Sequence, residues 1–168
     1  MTMDFSNSAQ LHLMLTHLPV VGAVLAAGTL AIGVLAGTTA TRRLGLTLLL
    51  FAGLSAIPAY LTGDGAEEIV EDRPGVAESR IERHEDAAGV TLGLVLLGGV
   101  VAGSAMLAQR LGGERIGRAL LAGALCLAAV EVVALGWVAH LGGEIRHDEI
   151  RLAERSVPGT SAGGAEDR

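Results

Sequence analysis

Residues 18–36 read LPVVGAVLAAGTLAIGVLA, nineteen positions without one charged side chain. At 1.5 Å per residue a helix of this length comes close to crossing a hydrocarbon core of roughly 30 Å. Three further stretches are nearly as free of charge: Leu44 to Leu61, Ala87 to Ala108 and Ala119 to Leu141. The helices of a soluble bundle carry an apolar stripe opposed by charged residues, whereas these segments are apolar all round. The expected fold is therefore all-α, an integral membrane four-helix bundle with a short extramembrane helical segment between the second and third spans. Residues 1–155 form its transmembrane domain and residues 156–168, a small polar tail, are expected to be disordered.

Composition agrees with this assignment. Hydrophobic residues make up 51% of the 168 positions and charged residues 18%, and mean hydropathy is +0.52, values of the membrane class. A net charge of −6 speaks against nucleic-acid binding, which needs basic clusters. Asp4 and the lack of a basic leader argue against a cleaved signal peptide. Cys126, the single cysteine, falls within the fourth span and reads as a small packing residue without an intrachain disulfide partner. No nucleophile with a plausible base, phosphate-binding loop or cysteine metal motif is present.

The first and third connections carry Arg42, Arg43, Arg110, Arg115 and Arg118 against one acid, Glu114. The positive-inside rule sets that side in the cytoplasm. Both termini and the long middle loop then face outward, which in a bacterial inner membrane is the periplasmic side. The middle loop, TGDGAEEIVEDRPGVAESRIERHEDAAG (62–89), holds nine acids and three arginines. Asp64 is the expected N-cap of a short helix from Ala66 to Asp72, stopped by Pro74 and Gly75, and a second helical stretch from Val76 is expected to run into the third span. Small residues at four-residue spacing, Gly33 and Gly37, Gly89 and Gly93, Gly99 and Gly103, with Ala23, Ala27 and Ala31, point to close helix packing.

All five histidines, His12, His17, His84, His140 and His147, fall on the outer side of this topology. Bundles build metal and cofactor sites from residues on facing helices, and imidazole is a ligand for transition metals and for haem iron. Glu67, Glu68, Glu85, Glu144 and Glu149 accompany them and could hold the second ring nitrogens of ligating histidines. Glu144 and His147 have the Glu-x-x-His spacing of di-iron bundles, but only one copy exists. His12 and His17 differ by about 140° and about 7.5 Å of rise on a helix, so one ion does not take both. With Pro19 read as lying in the first turn, His17 is expected to be the deeper, internal residue, paired with His84, and His12 the more dispensable one nearer the interface. Glu131, near the middle of the fourth span, reads either as a protonated structural carboxyl or as a mark of a proton route. Tyr60 and Trp137 are expected to be interface anchors.

HLMLTHLPVVG (12–22) resembles the His-x4-His-x-Pro opening of the bacterial membrane proteins grouped as domain of unknown function 2231. IERHEDAA (81–88) and GWVAHLGGEIRH (136–147) are similar to that group's histidine before the third helix and its Gly-Gly-Glu then His ending. The likeness spans Leu11 to Ile150, with Leu13 where the group tends to have proline, Leu18 where it tends to have phenylalanine, and a shorter spacing from Gly143 to His147. It implies a four-helix membrane protein with a redox leaning, and singles out His12, His17, His84, Glu144 and His147. The expectation is a small membrane protein holding haem b or a transition metal (iron, copper or zinc) for electron transfer. The alternative is a cofactor-free subunit or scaffold whose polar outer cap docks a partner. The partners so implied are the bilayer, a redox protein or larger membrane complex, and a second copy of the chain.

Overall fold

The computed structural model of the chain describes residues 7–71 and 73–146. Five helices follow one another: α1 (Ser8–Leu35), α2 (Thr39–Leu61), α3 (Gly63–Val70), α4 (Glu78–Arg110) and α5 (Glu114–Arg146), with no strand among the described residues. Four of them, all but α3, are long and apolar enough to cross a membrane. The chain is an all-α, multi-pass membrane protein. The expected tail beyond Ser156, together with His147 and Glu149, lies outside the described residues.

α1 packs on α2, α2 on α4, α4 on α5, and α5 returns to α1. The long helices thus form a ring in which α1 and α4 stand on a diagonal. Residues 36–38 and 111–113 turn the chain at the arginine-bearing end, each using a glycine in the left-handed region, Gly37 (φ 71°) and Gly112 (φ 75°). Glycine accepts that conformation without a β-carbon clash and so closes a helix C-terminus. The segment from Thr62 to Ala77 joins the helices at the other end.

Helix starts differ from expectation in two places. Asn7 accepts from the Gln10 amide and caps α1 well upstream of the apolar run, so Pro19 is an interior residue rather than one of the first turn. A proline deep in a transmembrane helix is tolerated where neighbouring groups satisfy the backbone it leaves free. α3 begins at Gly63, directly after α2, with Asp64 in its first turn and not as its cap. Thr62 occupies the cap position, but its hydroxyl donates back to the carbonyls of Pro58 (3.0 Å) and Ala59 (2.9 Å).

Small residues set the helix spacing. A β-carbon on Gly53 would lie 3.0 Å from the Val95 carbonyl, one on Gly45 would lie 2.9 Å from the Leu30 amide nitrogen, and one on Gly33 would lie 2.7 Å from that of Arg42. Arg42 also donates from Nε to the Gly33 carbonyl at 2.9 Å. Of the four-spaced glycine pairs, Gly33 enters such a contact, a β-carbon on Gly99 would stand at an ordinary 3.6 Å from the Gly53 Cα, and one on Gly93 or Gly103 would meet nothing. Between these seams the core is mainly alanine and leucine: Ala26, Leu30, Leu46, Leu49, Ala102, Ala105, Ala124 and Ala128 are buried together.

Candidate functional site

Position along α1 decides which histidine faces inward. The buried line of that helix includes Pro19, Ala26 and Gly33, seven residues apart. Two helical turns take about seven residues, so His12 belongs to that line and His17 does not. His12 is indeed half-buried and His17 exposed. The expected assignment of His17 as the internal residue is therefore reversed by the rotation of α1. Its Nδ1–H donates to the Leu13 carbonyl of its own helix, and its outer surface is shared with Gln10, Leu13 and Met14.

His84 obeys the same rule on α4, where Thr91, Gly98 and Ala105 continue its line at seven-residue steps and are buried. His12 and His84 project from the two diagonal helices toward the inside of the end opposite the arginines and lie within electrostatic reach of each other. Each ring is fixed by a neighbouring helix. His84 Nδ1 is 3.2 Å from the Val138 carbonyl of α5, and a carbonyl only accepts, so Nδ1 carries the hydrogen. His12 Nδ1 is 3.2 Å from the Thr62 hydroxyl oxygen. That hydroxyl is also within bonding distance of the Pro58 and Ala59 carbonyls, and the His12 ring has a backbone hydrogen bond with Ala59 besides. The neutral His84 ring therefore keeps its lone pair on Nε2, whereas the His12 ring meets both a hydroxyl and a main-chain group at the end of α2. Room for the His84 ring comes from Gly142, where a β-carbon would stand 3.2 Å from its Cε1.

The acids expected to support these rings do other work. Glu144, 7% exposed, receives Arg83 at 3.4 Å and Arg80 at 3.9 Å on Oε2, and His140 Nε2 at 3.0 Å on Oε1. Arg80 also donates to the Glu144 carbonyl at 3.2 Å. The cluster ties α4 to α5 at the histidine end and takes His140 out of the interior; that exposed ring lies against Trp137, centroids 5.7 Å apart. Glu67 of α3 shares a hydrogen bond with Glu85 of α4. That bond foremost, then partial burial and the charges of Glu85 and Asp64, holds the Glu67 carboxyl above the usual carboxylate range. Glu68 is exposed. The groups bonded to the His12 and His84 rings are thus a hydroxyl and main-chain groups, not carboxylates. Among the described residues no group of three or more His, Cys, Asp or Glu side chains is arranged to hold a metal ion.

Tyr60 and Trp137 are both exposed near the histidine-bearing ends of α2 and α5. In the sequence Arg80 and Arg83 stand only as part of the loop's charge balance, and nothing in their spacing names Glu144 as partner. Glu131 is fully buried, with its carboxyl against Gly98. Compared with protein-family models, with curated proteins and with solved structures, the chain matches none.

Proposed function

We propose that the chain is a small electron-transfer protein of the bacterial inner membrane, with a cofactor iron or copper ion held by His12 and His84 at the periplasmic end. The observation that supports this is that both rings are held from a neighbouring helix, His12 by Thr62 and Ala59 and His84 through its Nδ1–H by Val138, which leaves the His84 Nε2 with its lone pair. Ligating histidines are commonly oriented in that way, by an acceptor on the second ring nitrogen. Two imidazoles suffice for haem b, whose porphyrin supplies the other four ligands; a structural zinc site asks for four protein donors. The donor set therefore favours haem iron, with copper next and zinc last. When bound, such a centre supplies one-electron chemistry; the chain contributes ring orientation and a partly dry setting. The likeness to the group of domain of unknown function 2231 leans the same way.

The outward orientation rests on the five arginines at the opposite end, which the positive-inside rule puts in the cytoplasm, leaving both termini periplasmic. A redox protein, a larger membrane complex or a second copy would dock at the histidine end. A second reading, a cofactor-free cap that docks a partner, draws on the Glu144 cluster, whose carboxylate is saturated by Arg80, Arg83 and His140.

Absorption spectra of oxidised and reduced protein, with metal analysis of the same sample, separate the two. We expect a Soret band or a stoichiometric metal, lost in His12→Ala and in His84→Ala and kept in His17→Ala. Protein purified under retaining conditions with neither haem nor metal would move the assignment to the docking cap. Full retention in the His12→Ala, His84→Ala double variant would reject this pair of ligands.

A further inference from the structure

Glu131 stands midway along α5, roughly 22–26 Å from either end at 1.5 Å per residue. It has no exposed surface, and neither carboxyl oxygen has a hydrogen-bond partner. Its bed is made by the absence of a side chain: a β-carbon on Gly98 would collide with Oε1 and lie 2.9 Å from Cδ. Buried neighbours along α4 and α5 at this level are Val95, Ala102, Ala128 and Leu135.

A carboxyl placed here for architecture would return its desolvation cost by bonding a carbonyl or hydroxyl, and a buried polar group that does not calls for another account. No charge offsets it. Between Asp86 and Arg110 α4 has no titratable side chain, and α1 has none between His17 and Leu35. Facing from α2 beyond Arg43 there is only Tyr60, exposed near the outer end, and between Arg118 and His140 α5 adds only the exposed Cys126. A bound metal cation is excluded by the same inventory, since hard cations take six or more oxygen ligands and soft ones take imidazole or thiolate. One ligand needs a single oxygen and no further donors, and that ligand is the proton.

We propose that Glu131 is an exchangeable proton-binding site inside the membrane-spanning part of the bundle, loaded with one proton at neutral pH. No hydrogen bond anchors the acid form and no cation anchors the anion, so the proton leaves without breaking a protein contact. The site is independent of the histidine pair and stands or falls without it.

Infrared difference spectroscopy of the full chain in lipid nanodiscs tests this. The expected result is a carboxylic-acid C=O band at neutral pH that is absent from Glu131→Gln, shifts in D2O and fades as pH is raised into the alkaline range. A readout that needs no variant is labelling of the native protein by dicyclohexylcarbodiimide, followed by peptide mass spectrometry. The carboxyl proton passes to a carbodiimide nitrogen as the carboxyl oxygen adds to its central carbon, so only the protonated acid in an apolar setting reacts. An adduct on Glu131 that declines with rising pH is expected. Absence of both band and adduct at neutral pH, or a band that neither exchanges nor titrates, overturns the proposal.

Discussion

The main chain of Gly98 on α4 is the surface on which Glu131 of α5 rests its carboxyl group, with no space for even one methyl between them. Gly98→Ala must push the carboxyl aside or part the two helices, and overpacking of this kind costs about 1–3 kcal/mol. The penalty should persist when Glu131→Gln is added, because the amide has the same shape. It should largely vanish with Glu131→Ala, which empties the space. Thermal unfolding of the single and double variants in one detergent gives the coupling directly; additive effects would mean that the contact does not form.

Glu144 and its cations make a second prediction, in which burial decides the sizes. The Glu144 side chain is 9% exposed while that of Arg83 is 59% exposed. Glu144→Gln leaves two guanidinium groups and a histidine facing a neutral amide, and should cost about 1–3 kcal/mol. Arg83→Ala removes an ion pair that water already screens, and should cost less than about 1 kcal/mol. Equal losses in the two variants would show that the cluster is as wet as the surrounding loop.

The Glu67–Glu85 pair predicts a pH effect with a definite sign. A carboxyl whose folded-state affinity for the proton exceeds its unfolded one favours folding at acid pH. That advantage is lost as pH rises from the ordinary carboxylate range through the raised value of Glu67. Glu67→Gln should therefore raise the melting temperature at neutral pH and leave it nearly unchanged in acid. A shift of the same size at both pH values would remove the pair from the account.

Topology is open to a direct check. Ser79 and Thr39 are exposed at opposite ends of the bundle. A cysteine at 79 should react with an impermeant reagent added to spheroplasts and one at 39 should not. Labelling confined to position 39 would reverse the orientation and move the histidine end to the cytoplasm.

The four membrane helices were legible in the sequence because nothing but lipid explains residues 18–36 and their three counterparts. The inward histidine is legible in the seven-residue spacing: His12, Pro19, Ala26 and Gly33 stand seven apart, as do His84, Thr91, Gly98 and Ala105. Judging depth by distance from the apolar run favoured His17, but depth along a helix says nothing of rotation about it. The Glu144 cluster and the Gly98 cradle were not legible. They depend on how far α4 and α5 slide past each other, and helices studded with glycine and alanine at many positions admit several such registers. Gly99 and Gly103 drew notice for their spacing while Gly98, in no such pair, holds the carboxyl.

The outer surface of the bundle is lined with Val21, Leu25, Ile32, Leu54, Val100 and Val133, all more than half exposed. Their neighbours are acyl chains, which conform to any apolar outline, so leucine, valine, isoleucine and phenylalanine are interchangeable there. Gly45, Gly53 and Gly98 have no such freedom, because main chain or carboxyl already fills the place of a β-carbon. Inheritance of this fold should accordingly be written in absences. Two descendants could differ at most lipid-facing positions and still keep the same helix ring, provided the same few side chains stay missing.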